Sequence, residues 1–432
     1  MAAALRSEVL VNQHKRSATD FTRNRVLSFQ TVFTMLMSKG AKSLQLSLNE
    51  LIPKLGLFKR TVSRIAYVKA RKKLKYTFFI ALNQQTVIRT MYESNDYQTC
   101  HGLRILAVDG SKVQLPTNKE TANEFGTFAY RSQHPEASGE HSYALASVLY
   151  DVLNRISLDA VLAPAHSYEV DLAKDHLRHT KEHDLVIYDR GYCSFRMLAL
   201  ASQASSHCLV RCTRRSFTVA NEMLSGEGPD DIVCEITANQ KFLQNPDNAM
   251  LPTTLTVRFV RIILDNGEYE VLVTSLLDQQ VYPLMIFKEL YYLRWGVETF
   301  YGILKTRLNL ENFSGYSVEA IRQDFHVAIL LSGVESILIE DSEEQLNKQR
   351  GGYPKKVNKA VSFNAIKEHA FELFVSDAPP TKVLEELTEL FQQNPTLIRK
   401  DRNPPRIQHS SHRVLGWWKQ GGGRWCFRVW RA

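Results

Sequence analysis

The sequence predicts an α/β protein with a mixed sheet, a helical region before the sheet and further helices after it. From residue 103 onwards, β-branched runs such as "LRILAVDGSKVQL" and "DLVIYDRGY" alternate with segments of helical spacing such as "EVDLAKDHLRHT" and "SFRMLALASQA". Before residue 100 the spacing is helical and basic residues are concentrated. A chain of 432 residues is long enough for two or three domains.

The first part of the sheet domain is predicted over residues 101–213. Its first strand ends at the Asp-Gly pair that begins with Asp109, and "SYALASVLYDVLNRISLDAVLAP" is typical of a hairpin that turns between residues 151 and 154. A helix, a buried strand that ends at Asp189, a second helix and the strand "HCLVRCT" follow. We expect the two strands that end in aspartate to lie side by side.

The pattern changes after residue 213. Segments such as "FTVANEMLSGEGPDDIVCEITAN" and "TTLTVRFVRIILDNGEYEVLVTSL" alternate like antiparallel strands, and Asn266-Gly267 is a strong hairpin turn. This pattern predicts a β-rich insertion in the sheet domain. The remaining predicted parts are a β-rich insertion over 214–282, the second part of the sheet domain over 283–345, a helical region over 346–405, and a basic, tryptophan-rich and loosely ordered tail over 406–432.

Basic residues are concentrated in the N-terminal region. Residues 1–80 carry sixteen Lys and Arg against three Asp and Glu, a larger surplus than the net charge of +9. This asymmetry favours nucleic acid as a partner, and we predict a helical DNA-binding domain over 1–100. "SLNELIPKLGLFKRTVSRIAYVKARKKLKYTFF" fits a helix-turn-helix that turns near Pro53 to Gly56, with a solvated helix face as the alternative. The candidate DNA contacts on the second helix are Arg64, Lys69, Arg71, Lys72, Lys73 and Lys75.

Composition argues against several other classes. The N-terminus lacks the apolar core of a signal peptide, and the run "FHVAILLSGVESILIE" is too short and too polar to span a bilayer. The six cysteines form neither a disulfide framework nor two pairs at zinc-ligand spacing. We therefore expect a cytoplasmic protein with reduced thiols and no membrane partner.

The segment "LYYLRWGVETFYGILKTRL" places four polar groups on one predicted helix. Tyr291, Arg294, Glu298 and Lys305 fall within about 60° of one another at 100° per residue, so they form one stripe. An i,i+4 salt bridge between Arg294 and Glu298, with Lys305 incidental, is the alternative interpretation.

Two aspartates at strand ends add to this stripe. Asp109 in "ILAVDGS" and Asp189 in "LVIYDRG" are each explained as turn formers when taken alone. Ligands of α/β sheets, however, bind outside the carboxyl ends of the strands, and a helix packed across them would bring Glu298 to the same point. Three carboxylates suit Mg²⁺, and two ions about 3.5–4 Å apart would support an in-line phosphoryl transfer. The residues thus predict a metal-dependent phosphodiester enzyme.

At these residues the chain resembles the transposases of bacterial insertion sequences in the Asp-Asp-Glu class. Their Tyr-x2-Arg-x3-Glu-x6-Lys signature is met without a gap by the four-residue stripe, and "AVDGS" and "IYDRGY" are similar to the two aspartate motifs. The resemblance implies a ribonuclease H-like catalytic domain with a β-strand insertion. It also implies that Asp109, Asp189 and Glu298 bind two Mg²⁺ ions, with Mn²⁺ as a substitute.

The resemblance implies that the reaction is DNA transposition of the cut-and-paste kind. Its partners would be double-stranded DNA, as the element's terminal inverted repeats and as target, and a second copy of the chain in a homodimer on DNA at the nucleoid. Arg294 and Lys305 would hold phosphates, Tyr291 would contact DNA nearby, and Arg190 and Arg211 are further candidates for backbone contacts or for structural roles.

Two alternatives of other classes stay open at this point. A regulator or domesticated derivative would use the basic N-terminal region to bind DNA and would need no carboxylate triad. A glycosidase would use Asp109 and Asp189 as acid and base, although the cationic stripe suits phosphates better.

Overall fold

The computed structural model describes residues 1–23, 26–40, 42–56, 61–93, 95–130, 139–348 and 353–398, together with the backbone of 417–419 and 425–427. The molecule is a mixed α/β structure built around one large sheet, as the sequence predicts. Helices cover both faces of this sheet, and a helical N-terminal region packs against one of them.

The central sheet has nine strands, in the order β2-β3-β1-β5-β6-β9-β8-β7, and β4 also pairs with β3. The strands are β1 Arg104–Gln114, β2 Thr127–Tyr130, β3 Gly139–Asp151, β4 Ile156–Pro164, β5 Asp184–Tyr188, β6 His207–Arg211, β7 Asp231–Thr237, β8 Thr254–Ile263 and β9 Tyr269–Thr274. The hairpin predicted at residues 151–154 joins β3 to β4, and the predicted Asn266-Gly267 turn joins β8 to β9.

The two strands that carry the predicted aspartates are parallel neighbours, as expected. β1 pairs with β5 from Arg104, opposite Asp184, to Ala107, opposite Ile187. The prediction that β1 ends at Asp109 is wrong, because the strand continues to Gln114. Its second half is held by antiparallel pairing with β3, and this tertiary pairing overrides the turn preference of Asp-Gly.

The region predicted as a β-rich insertion extends the same sheet. β9 pairs antiparallel with β6, and β8 and β7 follow outward. The expectation that "FTVANEML" alternates like a strand is wrong, since Thr218–Leu224 is a helix; Gln240–Leu243 in the same region is also helical. In the first of these helices Ala220 and Met223 are three residues apart and both buried, so helical packing decides the local structure.

Helices on the two faces of the sheet form separate apolar clusters. Leu106 and Val108 of β1 point towards the helices that follow β4 and β5, whereas Ala107 packs on the side of the long C-terminal helices. The helices from β1 onwards are α8 Lys119–Phe125, α9 Glu169–His176, α10 Phe195–Ser202, α11 Thr218–Leu224, α12 Gln240–Leu243, α13 Ile286–Tyr292, α14 Trp295–Thr306, α15 Val318–Leu338, α16 Glu340–Lys348, α17 Lys359–Glu368, α18 Ala370–Phe374 and α19 Thr381–Gln393. Short 3₁₀ turns occupy Leu177–His179, Arg190–Tyr192 and Pro246–Asn248.

The N-terminal region is helical, and its core is continuous with that of the sheet. Phe33, Phe78 and Phe79 belong to the same apolar cluster as Phe325 of α15 and Ala107 of β1. The predicted boundary near residue 100 is therefore crossed by the core. The helices are α1 Ala2–Leu5, α2 Glu8–His14, α3 Phe29–Met37, α4 Leu44–Lys54, α5 Arg64–Arg71, α6 Thr77–Leu82, a π-helical segment Asn83–Ile88 and α7 Arg89–Glu93.

The C-terminal part contains two small strand pairs. β10 Lys355–Val357 pairs with β11 Pro395–Leu397, and β12 Trp417–Lys419 pairs with β13 Trp425–Phe427. Apart from β12 and β13, the tail predicted to be loosely ordered over 406–432 lies outside the described residues. No helix in the part of the chain that the structure describes is long and apolar enough to cross a membrane.

Candidate active site

Asp109 and Asp189 lie at equivalent positions on neighbouring strands. The last parallel pair joins Ala107 to Ile187, and each aspartate follows two residues later, so both side chains point to the same face of the sheet. Asp109 Oδ1 accepts a hydrogen bond from the Gly110 amide at 2.9 Å. Asp189 Oδ1 accepts one from the Gly191 amide at 2.6 Å and caps the 3₁₀ turn that follows β5.

Glu298 reaches this face from α14, which runs along β1. The Tyr301 hydroxyl donates to the backbone oxygen of Asp109 at 2.9 Å, and Lys305 Nζ donates to the backbone oxygen of Lys112 at 2.7 Å. Because Glu298 precedes Tyr301 by three residues, it lies on the same side of the helix, near Asp109. The helix thus aligns its polar stripe with the strand.

The predicted single helix over 290–308 is divided into α13 and α14. Bonds of the i→i+3 type bridge the junction, from the Arg294 amide to the Tyr291 oxygen at 3.1 Å and from the Gly296 amide to the Leu293 oxygen at 2.9 Å. A Cβ on Gly296 would lie 3.0 Å from Val152 Cβ, so α14 begins in close contact with the β3–β4 turn. Leu293 and Arg294 keep helical dihedral angles, so the junction is a tightened helical turn.

Arg294 is buried and holds Glu298. Its Nη2 donates to Glu298 Oε1 at 2.8 Å, its guanidinium stacks 4.9 Å from the Trp295 ring, and only 6% of the residue is exposed. The salt bridge considered as the alternative is therefore present. Arg294 Nε is buried and has no hydrogen-bond partner within the described structure. In this arrangement Arg294 orients the glutamate.

The carboxylates influence one another electrostatically. Burial raises the pKa of Asp109 to about 7, and the negative charges of Asp189 and Glu298 add to this rise. The Gly110 amide and the Arg294 guanidinium oppose it. Three carboxylates close enough to repel, with one of them desolvated, are suited to a bound cation.

The three carboxylates do not meet at one point, contrary to the simplest form of the prediction. Within the described part of the chain, the ligand oxygens of Asp109, Asp189 and Glu298 do not all lie within 4.8 Å of one another. One ion with ligands at about 2.1 Å could not touch all three without movement.

Comparison with known proteins identifies the family. The family model described as "Transposase DDE domain" matches residues 101–332, which is more than half of the chain. The chain belongs to the transposase DDE domain family. No curated protein matches it. Among solved structures it is similar to a piggyBac transposase in a cryo-EM synaptic complex with hairpin DNA, at 9% identity and a TM-score of 0.43, over 95% of this chain and 84% of that chain.

The other predicted contacts of this DDE-family chain are distributed around the carboxylates. Tyr291 is buried in the cluster beneath α13, and Lys305 is half-buried. Arg190 is exposed directly after Asp189. Arg211 Nε pairs with Glu270 Oε2 at 2.8 Å. Of the two roles considered for Arg211, a DNA-backbone contact and a structural role, this ion pair favours the structural one. The structure therefore brings Lys305 and Arg190 to the accessible side of the site.

The expectation that Arg71 lies on an exposed turn of its helix is wrong. Arg71 is 2% exposed and donates to Gln323 Oε1 at 2.5 Å, Ser314 Oγ at 2.6 Å and the Ala320 oxygen at 2.6 Å. It also pairs with the buried Asp324 at 2.6 Å. Arg71 is the last residue of α5, where the helix meets α15, so its side chain turns inward.

The other predicted basic residues remain accessible. Arg64, Lys69, Lys72 and Lys75 are exposed, and Lys73 is half-buried, with Nζ 3.4 Å from Asp20. A cleft of about 720 Å³ opens between α5 and the segment before α15. The basic residues that line it are Lys39, Lys42, Arg64, Lys69, Arg71 and Lys72, of which Lys39 and Arg71 are paired with Asp324.

Sequence reasoning missed three residues that surround the carboxylates. Tyr301 fixes α14 to β1 and Tyr192 is buried behind the site, and Glu169 at the start of α9 is a further carboxylate. The feature that could have indicated them is the order of the strands in the sheet. β4 is parallel to β1, because both are antiparallel to β3, so the helix after β4 begins at the sheet edge where Asp109 and Asp189 lie.

Proposed function

We propose that the protein is a DNA transposase that binds the terminal inverted repeats of an insertion sequence, cleaves at the element ends and joins the freed 3′-hydroxyl to target DNA by cut-and-paste transposition. The observation that carries this proposal is the pair Asp109 and Asp189, in register on one sheet face beneath the helix of Glu298. The mixed core of β4, β3, β1, β5 and β6 supports a ribonuclease H-like catalytic domain.

Asp109, Asp189 and Glu298 would hold two Mg²⁺ ions, for which Mn²⁺ would substitute. The donors are all carboxylate oxygens, as a hard cation requires, and the raised pKa of Asp109 means that the fold without a cation disfavours its negative charge. When bound, the ions would activate a water or a 3′-hydroxyl and stabilise the leaving oxygen.

The chain's own residues would orient the reacting groups. Arg294 fixes one oxygen of Glu298 and leaves the other free to face the site. The Tyr301 hydroxyl bonds the backbone oxygens of both Asp109 and Ala146 at 2.9 Å, which sets the distance between α14 and β1. Lys305 and Arg190, at the accessible side, would contact DNA phosphates.

The N-terminal helices would bind the double-stranded DNA of the element end. The cleft beside α5 presents the basic side chains of Lys42, Arg64, Lys69 and Lys72. These groups suit phosphate oxygens, which position the duplex without reading its sequence. Since two element ends must be handled together, we propose a homodimer on DNA.

The proposal is tested with a supercoiled plasmid that bears the inverted repeats flanking the reading frame. With Mg²⁺ the wild-type protein should nick the plasmid at those ends, and EDTA should prevent it. Glu298→Gln should abolish cutting while DNA binding is retained. The matched control is Glu289→Gln, which changes an exposed glutamate of α13 and should cut like the wild type.

The outcomes separate the possible functions. Equal cutting by Glu298→Gln and wild type would refute the carboxylate assignment. Binding of the repeats without any cation-dependent cutting would instead identify a non-enzymatic DNA-binding protein.

A further inference from the structure

Glu169 occupies the same edge of the sheet as the three proposed metal ligands. It is the first residue of α9, which follows β4, and its side chain is half-buried. β5 ends at Tyr188, whereas its neighbour β1 continues to Gln114, so the edge is open beside Asp109. Glu169 approaches β1 at this opening.

The contact with Gly110 shows how near this carboxyl group comes to Asp109. A Cβ built on Gly110 would lie 2.7 Å from Glu169 Oε1 and 3.1 Å from Glu169 Cδ, closer than atoms in contact allow. The same glycine donates its amide proton to Asp109 Oδ1. An alanine here would therefore push the Glu169 carboxyl group away from its position beside the residue that follows Asp109.

A buried hydroxyl group points to a ligand between these groups. Tyr192 has no exposed surface, and its phenol oxygen makes no hydrogen bond of ordinary geometry within the described structure, although it lies near enough to the Glu169 carboxylate to lower the pKa of that group. Burial raises the pKa of Tyr192, and the charges of Glu169, Asp109 and Asp189 raise it further, which places the phenol among the carboxylates. Leaving a buried hydroxyl unpaired is costly, and the water ligands of a cation would accept its hydrogen bond.

We propose that Glu169 supplies a fourth carboxylate to the divalent-cation site, and this inference rests on the function proposed above. Its oxygen binds the ion beside Asp109 directly or through one of the ion's water ligands, and Tyr192 bonds to the same hydration shell. Gly110 is the residue that lets Glu169 reach this position.

A simpler role for Glu169 makes a different prediction. A glutamate in the first turn of a helix is favoured by the helix dipole. The charge of Lys112 and the hydroxyl of Tyr192 also favour its ionised form. The Lys112 ammonium, however, lies 4.1 Å from the centre of the Phe128 ring. If the dipole and Lys112 explained Glu169, removing its charge would leave cation binding unchanged.

The test measures Mn²⁺ binding to the full-length protein without DNA, by isothermal calorimetry and by the metal-induced rise in melting temperature. We expect Glu169→Gln, which keeps the size of the side chain, to lower the Mn²⁺ affinity by about 10–100-fold, as the loss of an oxygen partner at a metal site does. Asp175→Asn changes an exposed carboxylate of the same helix and should bind like the wild type.

Asp109→Asn separates the two proposals. If Glu169→Gln binds Mn²⁺ like the Asp175→Asn control while Asp109→Asn loses binding, the role of Glu169 is overturned and the proposed function stands. If Asp109→Asn also binds like the wild type, both are overturned.

A second experiment tests the contact through Gly110. Gly110→Ala should displace the Glu169 carboxyl group and lower Mn²⁺ affinity in the wild-type background, but it should add nothing in a Glu169→Ala background. Far-UV circular dichroism checks that each variant is folded. An equal loss of affinity in both backgrounds would show that Gly110 acts on the strand alone and would contradict the proposed contact.

Discussion

Replacing Asp109 with asparagine should make the metal-free protein more stable at alkaline pH, even though it should remove cleavage. Burial and two neighbouring negative charges raise the pKa of Asp109 to about 7 in the folded protein, from an ordinary value of 3.8. The folded state therefore disfavours the charged carboxylate. An asparagine has the same shape and carries no charge.

The magnitude follows from the difference between the two pKa values. Because the pKa of Asp109 is higher in the folded protein than in the unfolded one, Asp109 does not destabilise the fold below pH 3.8. The free energy of unfolding then falls as the pH rises from 3.8 through 7. At about 1.36 kcal/mol per unit, the full loss is on the order of 4 kcal/mol above pH 7. At pH 5 only about 2 kcal/mol of it is present, by the same linkage.

Urea unfolding in EDTA at pH 5 and pH 8 measures this difference. Asp109→Asn should unfold at a higher urea concentration than the wild type at both values, with the larger gain at pH 8. Adding Mg²⁺ should stabilise the wild type and leave Asp109→Asn unchanged, because ligands that bind the native state shift its apparent stability. Asp175→Asn, on the surface of α9, should show neither effect.

An Asp109→Asn protein that is no more stable than the wild type at pH 8 in EDTA would refute the reasoning. It would mean that the Asp109 carboxylate is solvated or compensated in the fold, and hence that the site does not need a cation to offset its charge.

Three further predictions concern packing and DNA binding. Arg71→Ala should lower the free energy of unfolding by about 3–5 kcal/mol, because it removes the nearer of the two cations that compensate the buried Asp324 carboxylate and leaves its other buried partners unpaired, whereas Lys72→Ala at the next, exposed position should change it by less than about 0.5 kcal/mol in urea titrations. Gly333→Ala should cost about 1–3 kcal/mol in thermal melts, since its Cβ would lie 2.5 Å from Val87 Cγ1, and Val87→Ala should recover part of this loss. Lys69→Ala and Lys72→Ala should each lower the slope of log affinity against log salt by about 1, as fluorescence anisotropy with element-end DNA measures; unchanged slopes would exclude these lysines from the interface.

Local patterns predicted the parts of the fold that local interactions decide. The hairpin at residues 151–154 and the Asn266-Gly267 turn were predicted correctly, because their signals lie in a few adjacent residues. That the strands of Asp109 and Asp189 are neighbours was also predicted correctly, because ligand sites in α/β sheets generally lie at the carboxyl ends of adjacent strands. The four-residue spacing on the Glu298 helix indicated which face would be polar.

Long-range contacts decided the features that were predicted wrongly. Asp109 lies inside a strand because β3 pairs with residues beyond it, and the helix of Glu298 begins at a tightened turn where Gly296 packs against Val152. Arg71 is buried because α15, some 250 positions later in the chain, supplies its partners. Glu169 is near the site only through the order of the strands, which no local pattern contains.

The buried network around Arg71 fixes the N-terminal helices relative to the part of the fold that carries the carboxylates. Arg71 and Lys39 from the N-terminal helices share Asp324 of α15, at 2.6 Å and 3.2 Å, and burial alone would raise the pKa of Asp324, yet these cations and Ser314 keep it below its usual value. The N-terminal helices are thus fixed to the helix that lies beneath the sheet. If DNA binds beside α5 as proposed, the fold itself sets the number of base pairs between the bound DNA segment and the cleaved bond. Shifting the cleavage position would then require a change in the protein's architecture.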